Sequence, residues 1–135
     1  MGSKIVTGKP PFSPFGLDHL LLCVDGMDAA LAFYTKVIGC TIRARLPQYG
    51  MADLTGGVSL VDVASEEGAW AKTKSKGENV NHFAVRLGRT PEAEVRAHLA
   101  ANGVAIEEER PEGEDLSLYI RDPSGNYVEL IFEPA

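Results

Sequence analysis

The spacing of apolar and polar positions predicts a regular series of short elements in the first half of the chain. An apolar run from Gly16 to Val24 predicts a buried strand, and the apolar residues between Met27 and Ile38 recur at helical spacing. Gly39 stands where a glycine that ends a helix is expected. Three further strands, separated by turn residues, are predicted over 40–46, 50–54 and 58–63.

The same order of elements begins again in the second half. A strand is predicted over 81–87 and a helix over 92–102, with Thr90 as its N-cap, Pro91 at its first position and Gly103 at its end. The last strands are predicted over 104–109, 115–121 and 127–132, with a turn at Asp122-Pro123-Ser124-Gly125 between the final two.

Equivalent positions of the two halves are separated by a nearly constant interval. The interval from His19 to His82 matches that from Gly39 to Gly103 to within one residue. This agreement indicates a duplicated βαβββ module within one α+β domain. The predicted segments are a loose leader (1–15), a first module (16–63), a polar linker (64–79) and a second module (80–133), the domain as a whole covering 16–133.

Length and charge limit the classes of partner. The chain has 135 residues, of which 44% are hydrophobic and 24% charged, as expected of one soluble domain. Thirteen basic and nineteen acidic residues give a net charge of −6, which argues against nucleic acid or an anionic membrane as a partner. The longest apolar run, Leu20 to Val24, is too short for a membrane span of about 20 residues. Cys23 and Cys40 form no CxxC pair and no export signal precedes them, so we expect reduced thiols and a cytoplasmic location.

Two histidines and one glutamate lie in three different predicted strands. His19 and His82 occupy equivalent positions, and Glu129 is surrounded by apolar residues in the last strand. An unpaired carboxylate buried there would cost several kcal/mol, so it should face a cation, a hydrogen-bond network or water. A divalent transition metal binds neutral imidazoles together with a carboxylate. The pattern is equally that of histidines satisfied in a core and a glutamate on an exposed face, and the spacing alone leaves both interpretations open.

Strand alternation assigns two arginines to the same cleft as these residues. Arg86 faces the same side as His82, and Arg121 the same side as Tyr119. The two guanidinium groups would then hold an anionic oxygen. The alternative interpretation places both arginines at strand ends in water.

Several motifs, in a fixed order, resemble one known family. They are Leu17-Asp18-His19-Leu20, Ala32-Phe33-Tyr34, Ile38-Gly39, Asn81-His82-Phe83-Ala84-Val85, Asp122-Pro123-Ser124-Gly125-Asn126 and Tyr127-Val128-Glu129-Leu130. The chain resembles the vicinal oxygen chelate superfamily, the group of glyoxalases, bleomycin-resistance proteins and extradiol dioxygenases. Its second half is most similar to small glyoxalase-domain-containing proteins of uncertain substrate.

This resemblance implies two βαβββ modules whose curved mixed sheets form a metal-containing cleft, in chains paired as a homodimer. His19, His82 and Glu129 fall on the family's ligand positions for one divalent ion, which would be Fe, Mn, Zn or Ni. The fourth position aligns with Ser59, where a glyoxalase I has glutamate, and alternation turns Asp62 to the opposite face. Without that carboxylate, standard glyoxalase I activity is less expected.

The expected function is therefore that of a divalent-metal-dependent enzyme acting on a small oxygen-bearing substrate, of the lyase or isomerase, dioxygenase or thiol-transferase type. The residues assigned to catalysis are Tyr119 and Glu129, and those assigned to substrate binding are Arg86, Arg121 and Ser59. Small relatives often exchange modules between paired chains, so the ligand set is either intrachain or shared between subunits. The alternative function is a metal-free protein that sequesters a ligand, as bleomycin-resistance proteins do.

Overall fold

A computed structural model describes residues 11, 17–72 and 80–135. The predicted leader, apart from Pro11, and the end of the predicted linker lie outside the described residues. The first module comprises β1 (Leu20–Val24), α1 (Met27–Ala32), β2 (Ile42–Leu46), β3 (Met51–Leu54) and β4 (Val58–Asp62). The second comprises β5 (Phe83–Arg86), α2 (Glu92–Ala101), β6 (Glu108–Glu112), β7 (Asp115–Arg121) and β8 (Tyr127–Phe132). A wider π-helical turn, Phe33–Ile38, continues α1, and short 3-10 turns form at Pro47–Tyr49 and Ala69–Ala71.

The two modules have the same sheet topology. The strand order is β1-β4-β3-β2 in the first sheet and β5-β8-β7-β6 in the second. In each sheet the first and last strands of the module are parallel neighbours, and the other pairs are antiparallel. The prediction of an α+β fold built from two βαβββ modules is confirmed.

Alternate residues of each sheet face a common core. In β1, Leu22 and Val24 are buried whereas Leu21 and Cys23 are exposed, so one face packs inward and the other stays open. The core cluster joins residues of both modules, and α1 and α2 contribute Leu31 and Leu99 respectively to it. β1 therefore has one covered face and one open face, whereas β4 and β7 are buried on both faces over most of their length.

The open edge of the second sheet is β6. All five of its residues are exposed, and the strand contains Pro111 among charged side chains. It pairs only with β7, so its other side has no strand neighbour within the described residues.

A carboxylate from β4 holds the start of α1. Asp62 Oδ1 accepts from the Gly26 amide and Asp62 Oδ2 from the Met27 amide, each at 3.1 Å. These contacts satisfy amides that have no partner within the helix. Asp62 thus points toward the helix side of the sheet, as strand alternation predicts, and Gly39 ends the helical segment with φ 93°.

The start of α2 and the start of β6 differ from their predicted positions. Pro91 occupies the N-cap position with an extended backbone, and the Thr90 hydroxyl instead donates to the Gly88 carbonyl at 2.7 Å. Val104 follows the helix too closely to enter a strand, because its amide donates to the Leu99 carbonyl at 2.9 Å. The strand predicted from residue 104 therefore begins only at Glu108.

The turn between β7 and β8 connects the second module to the first. Buried Asp122 accepts from the Tyr34 hydroxyl at 2.8 Å, and the Asp25 amide donates to Ser124 Oγ at 2.8 Å. Asn126 Nδ2 donates both to Asp122 Oδ2 and to the Cys23 carbonyl. This turn confirms the one predicted between the last two strands.

None of the helices formed by the described residues is long and apolar enough to cross a membrane.

Candidate metal site

The duplicated topology places the predicted site residues in equivalent rows across the two sheets. In the second module, Ala84, Glu129 and Tyr119 lie side by side on β5, β8 and β7. In the first module the corresponding row contains Leu21, Ser59 and Asp53 on β1, β4 and β3. Each row begins two residues after the histidine of its module, so Ser59 is the structural counterpart of Glu129, and Asp53 of Tyr119.

His82 and Glu129 form the nucleus of the site. His82 Nε2 lies 3.1 Å from Glu129 Oε1. The other ring nitrogen, Nδ1, contacts Asn81 Oδ1 at 2.8 Å and must carry the hydrogen, because an amide oxygen only accepts. With the hydrogen on Nδ1, the Nε2 lone pair of a neutral ring faces the carboxylate. A cation between the two would stabilise this arrangement.

The Glu129 carboxylate is buried but has a hydrogen-bond donor. It is 6% exposed, and Ser117 Oγ donates to its Oε2 atom at 2.9 Å. One oxygen of Glu129 is thus held by the sheet while the other faces His82. The structure therefore resolves the choice left open for this glutamate in favour of a buried, partnered side chain.

Two tyrosines line the site beside the histidine. The Tyr119 ring lies edge-to-face on His82 with centroids 5.6 Å apart, and Tyr127 does the same at 6.5 Å. Burial raises the pKa of the Tyr119 hydroxyl, and its hydrogen bond to Glu129 raises it further. Tyr119 therefore keeps its proton at neutral pH, and its hydroxyl is a hydrogen-bond donor.

His19 repeats the local arrangement of His82 in the other module. Its Nδ1 contacts Asp18 Oδ1 at 2.7 Å, so in both histidines the preceding residue holds Nδ1 and leaves Nε2 to face another group, which for His82 is Glu129. The His19 side chain is 56% exposed and lines a pocket with β5, whereas His82 lines a second pocket with β1. Across residues 17–72 and 80–135 of one chain, no three His, Cys, Asp or Glu side chains converge closely enough to hold a metal ion. The structure thus brings His82 and Glu129 together but not His19.

Ser59 is hydrogen-bonded to Asp53, which is not among the site residues predicted from the sequence. Ser59 is 6% exposed, and its Oγ donates to Asp53 Oδ1 at 2.8 Å. Asp53 is the counterpart of Tyr119 in the duplicated module. Aligning the strands of the two modules from their histidines would have identified it. The sequence of β3 taken alone does not indicate that Asp53 belongs to the site.

The two arginines lie at separate places on the second sheet. Arg86 pairs with Asp115 at 3.1 Å, and Arg121 pairs with Glu107 at 3.2 Å while its guanidinium lies 3.9 Å from the centre of the Tyr127 ring. Arg86 lies beside Ile131 of β8, and Arg121 lies beside Tyr127 of the same strand. These two positions of β8 are about 13 Å apart along the strand. The structure does not bring Arg86 and Arg121 together, and only Arg121 lies beside the His82 pocket.

Comparisons with known proteins agree with this fold. The model of the Glyoxalase/Bleomycin resistance protein/Dioxygenase superfamily matches residues 16–130. Virulence protein STM3117 of Salmonella typhimurium (strain LT2) is 27% identical over 119 residues, covering 84% of this chain and 81% of that protein. Metallothiol transferase FosB of Bacillus licheniformis is 26% identical over 117 residues, covering 85% of this chain and 73% of that protein.

A solved structure supports the same assignment. Lactoylglutathione lyase from Agrobacterium tumefaciens superposes with a TM-score of 0.65 at 26% identity, covering 88% of this chain and 94% of that one. Family match, relatives and module topology agree. The chain therefore belongs to the Glyoxalase/Bleomycin resistance protein/Dioxygenase superfamily.

Proposed function

We propose that this protein is a divalent-metal-dependent enzyme that acts on a small oxygen-bearing substrate, with His19, His82 and Glu129 as the metal ligands. The reaction is of the lyase or isomerase, dioxygenase or thiol-transferase type. The observation that carries the proposal is the contact of 3.1 Å between His82 Nε2 and Glu129 Oε1. Lactoylglutathione lyase and metallothiol transferase FosB, to which the chain is similar, are named as enzymes of two of these types.

The chemistry of the donor set fits a divalent ion. Histidines that bind metals usually donate their other ring N–H to a neighbouring oxygen, which fixes the ring and directs the free nitrogen at the ion. Both His19 and His82 have such a partner in the residue that precedes them. The resulting set of two imidazoles and one carboxylate suits Fe, Mn, Zn or Ni. When bound, the ion would supply Lewis-acid stabilisation of negative charge on substrate oxygens.

The surrounding residues hold a proton and shape the cleft. Tyr119 is buried, protonated and hydrogen-bonded to Glu129, and we assign it the role of giving a hydrogen bond or a proton to a substrate oxygen when that bond is released. The ring of Tyr127 lies 5.4 Å from that of Tyr119, and together they form an aromatic wall beside His82. We assign Arg121, Arg86 and Ser59 to substrate contacts, with Arg121 nearest to this wall.

We propose further that a second copy of the chain completes the site as a homodimer. Within one chain the described residues bring together only two of the three donors, and the third, on His19, is largely exposed. The open faces of the two sheets leave His19 and His82 accessible to another protomer. In this arrangement His19 of one chain meets His82 and Glu129 of its partner.

Metal titration of the purified chain tests the ligand set. Mn(II), Fe(II), Zn(II) and Ni(II) are added in turn to metal-free protein, and binding is measured by calorimetry. We expect one ion per chain, and loss of that ion in His82→Ala and in Glu129→Gln. His98→Ala is the matched control, because His98 lies on α2 and its Nε2 contacts the Val37 carbonyl at 3.0 Å. If the wild type binds no ion but takes up a small ligand unaffected by these substitutions, the metal-free sequestering function is correct instead.

Mixing two inactive variants tests whether the site is shared. His19→Ala and Glu129→Gln chains each lose metal binding alone. After exchange of subunits, a site shared between chains is rebuilt in the mixed dimers, and about a quarter of the wild-type capacity returns. An intrachain site gives no recovery, since each chain still lacks one of its own ligands.

A further inference from the structure

Asp53 is a carboxylate in the middle of a sheet, and a serine of the neighbouring strand donates a hydrogen bond to it. Asp is disfavoured inside strands, and burying its charge is costly without partners. Asp53 is half-buried on the open face of the first sheet, and Ser59 Oγ donates to its Oδ1 atom at 2.8 Å. Among the ion pairs formed by the described residues, none involves Asp53.

The residues that lie beside Asp53 and Ser59 on the outer neighbouring strands carry no ionisable group. Asp53 lies beside Ala44 on β2 and beside Ser59 on β4, and Ser59 lies beside Leu21 on β1. The carboxylate therefore interacts with no charged group in its own row. It does not serve a cross-strand ion pair, and it does not hold a helix end as Asp62 does.

The register shows where the pair faces. Ser59 occupies the place that Glu129 has in the second module, and Asp53 occupies the place of Tyr119. Both lie on the same face as His19, by strand alternation. In a site that combines His19 of one module with His82 and Glu129 of the other, this face is turned toward the substrate.

The hydrogen bond determines what Ser59 can do there. Because the Ser59 hydroxyl hydrogen is directed at Asp53, Ser59 Oγ keeps lone pairs with which it could accept from a group brought against this buried side chain. A group that donates an O–H hydrogen bond to Ser59 would thus be connected to the Asp53 carboxylate through the Ser59 hydroxyl.

We propose that Ser59 and Asp53 form a proton-accepting pair for a substrate hydroxyl, an inference that rests on the function proposed above. The substrate O–H bond breaks as its proton passes to Ser59 Oγ, and the Ser59 O–H bond breaks as its proton passes to Asp53 Oδ1. The substrate oxygen keeps the electron pair, Ser59 ends unchanged, and Asp53 ends neutral. The substrate class is therefore one with an ionisable hydroxyl. Asp53 acts through Ser59 and is a positioning residue rather than a ligand.

A chromogenic probe, 4-nitrocatechol, tests the pair without knowledge of the natural substrate. Its absorption spectrum reports whether its second hydroxyl has lost its proton, and Zn(II)-loaded full-length protein adds no colour of its own. The spectrum of the bound probe is recorded as a function of pH. In Asp53→Asn, which keeps an acceptor for Ser59 but cannot take a proton as readily, we expect Zn(II) affinity to be unchanged. The apparent pKa of the bound probe should rise by about one unit or more.

Two further variants make the test specific. Ser59→Ala interrupts the connection and should raise the probe's pKa as Asp53→Asn does, which also provides an answer if Asp53→Asn does not fold. Asp28→Asn removes the same charge from the exposed side of α1 in the same module and should leave the pKa unchanged.

The outcomes separate this inference from the function on which it rests. If the wild type binds neither Zn(II) nor the probe, the proposed metal site is wrong and the pair loses its role with it. If both bind, but Ser59→Ala or a folded Asp53→Asn gives the same probe pKa as the wild type, the proton-accepting role is wrong and the metal site stands.

Discussion

The Asp122 carboxylate receives hydrogen bonds from both modules at a buried position. Tyr34 of the first module donates to its Oδ2 atom, and Asn126 Nδ2 does so from the second. The amides of Ser124 and Asn126 donate to its Oδ1 atom, closing the turn between β7 and β8. One side chain thus fixes a local turn and joins two halves of the molecule.

Removing the Tyr34 hydroxyl should destabilise the protein measurably. Tyr34→Phe deletes a buried hydrogen bond to a charged acceptor, and we expect the free energy of unfolding in urea to fall by about 1–3 kcal/mol. Tyr49→Phe is the control, because Tyr49 is exposed, and should change the value by less than about 0.5 kcal/mol. Equal losses in the two variants would contradict the importance of the Asp122 contact.

The same tyrosine should make stability depend on alkaline pH. Burial raises the pKa of Tyr34 well above its ordinary value, and the charge of Asp122 raises it further. Above pH about 10, the unfolded chain releases the Tyr34 proton while the folded chain keeps it. The free energy of unfolding should then fall by up to about 1.4 kcal/mol per pH unit because of this group. Urea titrations between pH 9 and 11, a range of roughly two units around the ordinary pKa of tyrosine, give the slope of the free energy of unfolding against pH. This slope should be smaller in Tyr34→Phe, and an unchanged slope would contradict the assignment.

The candidate site was predictable from the sequence only in part. The equivalence of His19 and His82, and the isolation of Glu129 in an apolar strand, point to three residues, of which the structure brings His82 and Glu129 into contact. Asp53 was missed, because its partner Ser59 lies on the neighbouring strand and pairing between strands depends on register rather than on local sequence. The ligand role of all three residues stays a prediction.

At the scale of elements, α1 depends on a side chain from outside the helix. Its N-cap residue is Gly26, which has no side chain to satisfy the first amides, and Asp62 at the end of β4 performs this role. The helix is only six residues long before its π-helical continuation, so intrinsic propensity alone would not maintain it.

Loss of this carboxylate should loosen the helix. Asp62→Ala removes acceptors for the Gly26 and Met27 amides, and we expect a loss of about 1–2 kcal/mol with faster hydrogen exchange in α1. Asp62→Asn keeps one side-chain oxygen and should lose less. Asp25→Ala serves as a nearby exposed control; if it accelerates exchange in α1 to the same extent, capping by Asp62 is not the cause.

The types of the elements were predictable because the spacing of apolar residues matches a helix or a strand in each case. The starts of α2 and β6 were not, because they depend on local hydrogen bonds. Thr90 satisfies the Gly88 carbonyl rather than the first turn of α2, so a favourable N-cap residue was present but used elsewhere. Val104 is held by Leu99 at the end of the helix, and its apolar neighbours pack on the core without joining a strand. An apolar pattern indicates burial, and burial does not require a strand.

At the scale of the whole molecule, the two modules share one core. Leu99 of α2 is 1% exposed and belongs to the same cluster as Leu31 of α1. A cavity made in the second module should therefore destabilise the first as well.

Leu99→Ala tests this coupling. We expect a loss of about 2–5 kcal/mol and a single unfolding transition. The sole tryptophan, Trp70, donates to the Tyr49 carbonyl and reports on the first module by its fluorescence. The urea midpoint measured by Trp70 fluorescence should shift together with the midpoint measured by far-ultraviolet circular dichroism. A Trp70 transition left at the wild-type midpoint would mean that the modules unfold independently, and Ala97→Ser on the exposed side of α2 controls for the helix itself.

The composition of β6 has a consequence for how these molecules associate. An unpaired margin of a sheet is able to recruit another chain and start a fibre, and proline together with like-charged neighbours discourages this. With Pro111 lacking an amide hydrogen and charged side chains at the other four positions of β6, edge-to-edge pairing through this margin is disfavoured. Replacing proline and glutamates there by valine and threonine would be expected to promote cross-β aggregation.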